Sequence, residues 1–378
     1  MIDNKKSVWF WQNMITPHMS SLAKALADRG FNVVYIANEI LSTERKKQGW
    51  EVQNLGNVKL KFAKNKYTAI QYAEKAPKNS IHLCQGLRGN GLISNAQKII
   101  RKRGLKHWVM LESIDDKGCL GLIKIIFYKL IIFYWRDQIS GVLAIGKNSV
   151  KWFINQGFYE KKIYPFAYFL QAPKKIKQIK SKTNIKNKRP FRFIYIGSLI
   201  NLKRVDLLIK SIGKLKKKEL ELWVVGTGPE ERHLKNLAKL TLPEKVHWYG
   251  VKPMSEILYL ISQVDCLVLP SRYDGWGAVV SEALMVGTPA ICSNNCGSSI
   301  IVEASGVGSI FLSNDQKDLT KKLNLQLKKG KINLKDRKKT QKWAKCLTSS
   351  SGAKYLEKIL ELKNKNANKI IKAPWNKK

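Results

Sequence analysis

Short apolar runs alternate along this chain with stretches of helical periodicity. SVWFW (7–11), FNVVYIA (31–37), IHLC (81–84), HWVML (107–111) and GVLAI (141–145) are rich in β-branched and aromatic residues, and they read as buried strands. A helical pattern over 19–29 lies between the first two, so the order is βαβα, as in parallel strands joined by helical crossovers. From 173 to 190 the segment PKKIKQIKSKTNIKNKRP loses its apolar periodicity and turns basic, which suits an exposed linker. Alternation then restarts with FRFIYIG (191–197), ELWVVG (221–226), KVHWYG (245–250), DCLVLP (265–270) and PAICS (289–293), each ending near Gly, Pro or Ser. Two parallel α/β sheets are therefore expected, and in such sheets ligands sit beyond the carboxyl ends of the strands. A length of 378 residues also exceeds what one core usually supports.

Charge adds one constraint. The chain carries 69 basic and 27 acidic residues, a net charge of +42. A polyanionic neighbour follows, whether nucleic acid, anionic lipid or a phosphorylated substrate. The abundance of Lys beside Ile and Asn also fits a mutational bias in an A/T-rich genome. Six Cys without a CxxC pair and five scattered His argue against structural zinc and for free thiols in a reducing compartment. The N-terminal stretch MIDNKKSVWFWQNM has no small-residue cleavage site, so a cytosolic chain is expected. LGLIKIIFYKLIIFYW (120–135) is too short for a typical membrane span and carries Lys124 and Lys129. Two readings of a helix over 120–138 stay open. It either faces a core, or lies on a membrane surface with its aromatics in the interface and Lys124, Lys129 and Arg136 reaching lipid phosphates.

The richest stretch is SRYDGWGAVVSEALMVGTPAI (271–291). A strand ends at Pro270, a loop holds Asp274, Gly275, Trp276 and Gly277, and a helix begins near Ala278 and ends at Gly287, with Pro289 beyond it. Glycines ahead of a helix N-terminus let backbone N–H groups approach a phosphate or sugar oxygen, where the helix dipole favours negative charge. Asp274 on the loop and Glu282 in the helix are acceptor-only when ionised, which suits the vicinal diols of a hexose or ribose. The plainer alternative is that Asp274 caps the helix and Glu282 faces solvent.

This stretch resembles the E-x7-E signature of the retaining glycosyltransferases of family 4 (glycosyl transferases group 1), with Asp274 in place of the first Glu. YIGSLINLKRVDLLIKSI (195–212) is similar to that family's opening of the donor domain, and WVVGTGPEERHL (223–234) to its VGxGP turn. The resemblance covers nearly all of 191–312 and implies a GT-B fold, with two Rossmann-like parallel-sheet domains facing across a cleft. It divides the chain into an acceptor-side domain (1–170), a basic linker (171–190), a nucleotide-sugar donor domain (191–340), and a segment (341–378) whose helix crosses back to the first domain. That last segment has an amphipathic patch over 343–362 and a basic end expected to fray.

Carried over position by position, the resemblance implies that Lys203 neutralises the donor diphosphate, Asp274 holds sugar hydroxyls and Glu282 holds the ribose. Gly197, Ser198, Arg204, Gly275, Trp276 and Gly277 would complete the donor site, with the loop's N–H groups touching sugar or phosphate. Ser198 stands where the family often has an Arg, and Arg204 is the candidate to replace it. In the N-terminal half, His18 stands in the family's first loop without the usual glycine pair; a cap or surface role is the alternative. Glu112 occupies the place where the family often has a His, and would orient or deprotonate an acceptor hydroxyl. GLRGNG (86–91) lacks the glycine order of a dinucleotide fingerprint and reads as a turn.

The expected activity is sugar transfer with retention from a nucleoside-diphosphate sugar, UDP-linked rather than GDP-linked, to a bacterial surface-glycan or lipid-linked acceptor. No metal or other cofactor is expected, because no DxD-like aspartate pair follows a strand and Lys203 with helix N-termini supplies positive charge. The expected surroundings are the cytoplasm and the anionic inner face of the plasma membrane, with no specific nucleic acid as partner. A polyanion- or nucleic-acid-binding protein, or a transferase fold without activity, are the alternatives.

Overall fold

The computed structural model describes residues 6–88, 91–115, 119–173, 189–215, 219–362 and 371–376. The chain forms two compact units. One contains residues 1–46, 51–171 and 346–378; the other contains 47–50 and 172–345.

The first unit is built on seven parallel strands, β1 (Ser7–Met14), β2 (Asn32–Glu39), β3 (Lys59–Phe62), β4 (Ile81–Gln85), β5 (Lys106–Glu112), β6 (Ile139–Ile145) and β7 (Ile163–Phe166). They run in the order β3-β2-β1-β4-β5-β6-β7. The chain winds outwards from β1 one way, then restarts at β4 on its other side, so the strand order reverses at β1/β4. Trp9, Trp11, Val34, Ile36 and Cys84 form a core with Ala69, Ala73, Ile93, Ala96 and Ile100 from the covering helices. One polar group inside is well satisfied: the Trp11 indole N–H donates to His82 Nδ1 at 2.9 Å, and Ser80 Oγ lies 2.9 Å from His82 Nε2. His107, beside His82 in register, is fully buried with neither ring nitrogen hydrogen-bonded among the described residues.

The helix Ser349–Leu362 belongs to this first unit and packs on the helix Pro17–Ala27. Arg29 pairs with Glu357, and the Tyr355 hydroxyl donates to the Pro165 carbonyl at 3.0 Å. Residues 363–370, 377 and 378 lie outside the described residues, but 371–376 do not fray as expected. Trp375 is 3% exposed and its ring sits 6.3 Å from that of Phe169. Ala373, Pro374 and Trp375 are all buried, and the apolar surface they remove from water offsets the cost of ordering the segment.

The second unit has six parallel strands, β8 (Phe191–Ile196), β9 (Leu220–Val225), β10 (Val246–Gly250), β11 (Cys266–Leu269), β12 (Ala290–Ser293) and β13 (Gly308–Phe311). Their order is β10-β9-β8-β11-β12-β13, so here the strand order reverses between β8 and β11. Arg189 grips the buried Asp265 carboxylate with two bonds of 2.6 and 2.7 Å. The helix Leu334–Ala344 docks through buried Arg337, which donates to Thr288 Oγ1 and the Val264 carbonyl at 2.7 and 2.5 Å.

Three strands have no counterpart in the apolar pattern, β3, β7 and β13, and all three are sheet edges. An edge strand pairs on one side only, so it tolerates Lys59 and Lys61 in β3, Pro165 in β7 and Gly308 in β13. Most of the expected linker, residues 174–188, and Gly89 and Asn90 of the GLRGNG segment lie outside the described residues. The helix Cys119–Trp135 packs one side into the first unit, as the core-facing reading expects, and leaves the other exposed. Tyr128 and Ile132 are buried among Val109, Val142 and Phe153, while Leu122, Ile126, Leu130 and Phe133 stand outward. Among the described residues no helix is long and apolar enough to cross a membrane.

Candidate functional site

The loops that follow β8 and β11 meet where the strand order of the second sheet reverses, the place at which open α/β sheets bind ligands. After β8 the chain passes Gly197 and Ser198, makes one 3-10 turn at Asn201–Lys203, and enters the helix Val205–Gly213 through Arg204, whose φ is 53°. This loop lies directly on the turn after β9. The Leu199 N–H donates to the Thr227 carbonyl at 2.9 Å, the Glu230 N–H donates to the Leu199 carbonyl at 3.0 Å, and a Cβ on Gly226 would stand 2.0 Å from the Gly197 carbonyl oxygen. The Gly226-Thr-Gly228 turn thus lets two backbones pack, which fixes the β8 loop from below.

Lys203 leaves that loop and donates to Asp274 Oδ2 at 2.6 Å, joining two residues 71 apart in sequence. Their side chains are 22% and 14% exposed, so the pair is accessible at its rim only. Asp274 does not cap the following helix. That helix, Ala278–Met285, has Gly277 as its N-cap, at φ 81°, with no side-chain cap bond. It ends as the sequence indicates, with Gly287 at φ 83° and bonds from Gly287 to Leu284 and from Thr288 to Ala283 that close a Schellman motif.

The Asp274 loop is held by the segment after β12. The Asp274 N–H donates to the Asn295 carbonyl, the Gly297 N–H to the Asp274 carbonyl and the Ser298 N–H to the Trp276 carbonyl, at 3.2, 2.9 and 2.8 Å. Trp276 is 1% exposed and its indole donates to Ser281 Oγ at 3.1 Å, so its ring anchors the loop in the core and only its backbone faces the site. The N–H groups of Gly275 and Gly277 donate to no acceptor among the described residues. With the first turn of the helix behind them they form a cluster of donors suited to an anion.

Glu282 lies in this helix, half-buried, without a side-chain hydrogen bond or ion pair among the described residues. Burial pushes its carboxyl up to about 7. Arg204 is already engaged: Nε and Nη2 hold Asp206 at 3.0 and 3.2 Å, and Nη1 meets Asn314 Oδ1. Burial raises the Asp206 carboxyl, but the Arg204 bonds outweigh it and leave it lowered. Arg204 therefore shapes the loop, and the backbone of Ser198 does the same by accepting a 2.8 Å bond from buried Tyr195.

Three further hydroxyls escaped the sequence reading. Ser271, Ser298 and Ser299 are fully buried around this loop, and none of their Oγ atoms has a hydrogen-bond partner among the described residues. Ser298 Oγ is 3.2 Å from where a Cβ on Gly277 would lie. For Ser298 and Ser299 the signal was NNCGSS (294–299), a polar turn after a strand two positions from β8. Its Cys296 is not a nucleophile: burial, with the Asp274 charge adding, pushes the thiol up to about 12. A cavity of about 680 Å³ opens between the helix Glu231–Thr241 and β10, but none of Lys203, Asp274 or Glu282 lines it.

In the first unit, His18 stands in the first turn of the helix Pro17–Ala27 after β1, stacked on Tyr168 at 3.9 Å. It is neither a cap nor a surface residue. Burial, and then the Arg45 charge, hold its imidazole at about 3, so it is neutral at ordinary pH. Glu112 is the last residue of β5, half-buried. Between β1 and β5 lies β4, a separation of roughly 9–10 Å across the sheet. The structure thus gathers Lys203, Asp274 and the Gly275–Gly277 loop into one place in the second unit, while His18 and Glu112 mark separate strand ends in the first.

Residues 176–345 match the family model described as glycosyl transferases group 1. An uncharacterized glycosyltransferase of Haemophilus influenzae is 33% identical over 144 residues, which are 37% of this chain and 40% of that protein. The O-antigen biosynthesis glycosyltransferase WclY of Escherichia coli is 37% identical over 105 residues, 27% of this chain and 29% of its own length. The match therefore spans two fifths or less of these relatives. Among solved structures, Anabaena HepE in complex with UDP superposes with a TM-score of 0.74 at 13% identity, over 94% of this chain and 99% of that one. The apo lipopolysaccharide outer core galactosyltransferase WaaB does so with a TM-score of 0.69 at 16% identity, over the same shares. In sequence, residues 176–345 match the glycosyl transferases group 1 family, and in fold the chain is a GT-B protein of two Rossmann-like parallel-sheet units.

Proposed function

We propose that this protein is a retaining glycosyltransferase of family 4, moving a hexosyl group from a UDP-sugar to a lipid-linked or surface-glycan acceptor in the cytoplasm. The observation that carries the reading is the Lys203–Asp274 pair at the strand-order reversal, beside free glycine N–H groups, with a half-buried Glu282 in the helix that those glycines open. A cation, backbone donors and a carboxylate in that position, with a second carboxylate in the helix that follows, match the parts of a nucleotide-sugar, which are a diphosphate and two sets of vicinal hydroxyls. Relatives named for O-antigen and colanic acid biosynthesis favour a surface-glycan acceptor, and fold neighbours solved with UDP, and with UDP and glucose, favour the UDP donor. Among the described residues five cysteines are free, four of them buried, which favours a reducing compartment.

In this reading donor phosphates displace the Lys203 ammonium from Asp274, and the released carboxylate accepts sugar hydroxyls. As the anomeric C–O bond breaks, Lys203 and the loop N–H groups hold the charge gathering on the leaving diphosphate. The acceptor hydroxyl adds to the same face and passes its proton to the departing phosphate oxygen, so the configuration is kept and no enzymic nucleophile is required.

The test is nucleotide release from a panel of UDP- and GDP-sugars, with and without membrane extract, for the wild type and Lys203→Ala. Release should be selective for one UDP-sugar, stimulated by the extract, and at least tenfold slower in the variant, since a charge-assisted contact contributes about 1.5–3 kcal/mol. Equal rates in the two proteins would remove Lys203 from the site, and a clear preference for GDP-sugars would overturn the donor assignment.

A further inference from the structure

Beyond the transfer reaction, and independent of it, the helix Cys119–Trp135 carries a second surface. Leu122, Ile123, Ile126, Leu130, Phe133 and Tyr134 are each 61–73% exposed. At about 100° per residue they fall within an arc of about 120°, so they form one stripe about 18 Å long. Six such side chains expose on the order of 600 Å², at the upper end of the roughly 300–600 Å² that a typical monomer leaves open.

The edges of the stripe are cationic. Lys129 and Arg136 border one side, with the Arg136 guanidinium 5.3 Å from the Phe133 ring centroid. Lys124 lies beyond the other side, where the Arg88 guanidinium is 5.3 Å from the ring of Phe127. Tyr128 and Ile132 on the inner face fasten the helix to the first unit, so the stripe is held flat and outward. An apolar band with long cations on both flanks is the pattern of a helix lying in a lipid interface, where the stems stay with the apolar surface and the charges reach phosphates. A second copy of the chain fits less well. A two-fold contact would set these cationic borders against cationic borders, in a molecule already at +42.

We propose that this face docks the protein on an anionic phospholipid surface, without crossing it. The test is flotation of the full chain with vesicles of phosphatidylethanolamine containing about 30% phosphatidylglycerol, against pure phosphatidylcholine vesicles. At low salt the bound fraction should be at least tenfold higher on the anionic vesicles, and should fall several-fold in about 0.5 M salt. Ile126→Ser with Phe133→Ser should lower binding at least tenfold with an unchanged circular dichroism spectrum. Should that variant lose its fold, Lys124→Glu with Lys129→Glu, both exposed, carries the test and should lower anionic binding by a similar factor. Wild-type protein that stays unbound at low salt, or serine variants that float like the wild type, would overturn the proposal. So would concentration-dependent dimerisation in sedimentation velocity without vesicle binding, which would assign the face to a second copy.

Discussion

Replacing Glu282 by Gln should flatten the pH dependence of donor binding. Burial raises the Glu282 carboxyl from its ordinary 4.5 to about 7, and only the carboxylate accepts two hydroxyls at once. With that value the group is about one tenth ionised at pH 6 and about nine tenths at pH 8, so wild-type affinity should rise about tenfold between them. UDP-glucose is a suitable probe because both of its phosphates are esterified and stay ionised over this range. The Gln variant loses a charge-assisted acceptor, worth about 1.5–3 kcal/mol, so at pH 8 it should bind at least tenfold more weakly, and the gap should narrow towards pH 6. Stability should move the other way. A carboxyl whose folded value is raised costs nothing below about 4.5, and its cost grows until pH passes about 7. Glu282→Gln should therefore stabilise the ligand-free protein at pH 8, by on the order of 1 kcal/mol after solvent screening of a partly exposed group, and have no effect at pH 4. Calorimetric titration at pH 6, 7 and 8 with thermal melts reads both. Wild-type affinity that is flat from pH 6 to 8, or a Gln variant that keeps the slope, would refute the assignment of Glu282 to the donor.

Activity should persist in EDTA; complete loss, restored by manganese or magnesium, would show that Lys203 and the loop amides do not suffice for the diphosphate. Burial holds His82 and His107 near 3, well under their ordinary 6.5, so the unfolded chain takes up their protons first as pH falls. Stability from this pair is present above about 6.5 and should be lost towards 3 at up to about 2–3 kcal/mol per pH unit. His18, held near 3 as well, adds an equal share. Urea midpoints at pH 7, 6 and 5 measure the sum, and His107→Phe should lower the slope by about one third; an unchanged slope would exclude His107 as a source. Gly226→Ala puts a methyl 2.0 Å from the Gly197 carbonyl oxygen and should destabilise the second unit by about 3 kcal/mol or more in chemical unfolding, whereas Thr227→Ala should cost far less.

Much of the fold was legible because its central strands are buried on both faces and therefore written as unbroken apolar runs, such as FRFIYI and DCLVL. The helix after Gly277 was legible for a local reason as well: its glycine start and its Gly287 stop are backbone requirements of single positions. Three of the edge strands, β3, β7 and β13, were not, since Lys59, Pro165 and Gly308 are each acceptable where only one side is paired. Residue types at the site were also readable, but three of their states depend on neighbours far away in sequence. Lys203 and Asp274 meet only because β8 and β11 are adjacent, Glu282 is raised only by what covers it, and Trp276 proves an anchor only once its ring is seen inside the core. Ser271, Ser298 and Ser299 look like ordinary loop residues until burial leaves their hydroxyls without partners. The helix Cys119–Trp135 makes the same point: apolar all round, it has a composition that names no inner face. The sequence by itself determined the two parallel sheets, the glycine-led loop and the identity of the charged groups, because these follow from local periodicity and backbone geometry. Only the tertiary structure decided which charges pair, which carboxyl stays near neutrality and which apolar face is left open, because each is settled by distance and burial between segments that the chain order keeps apart.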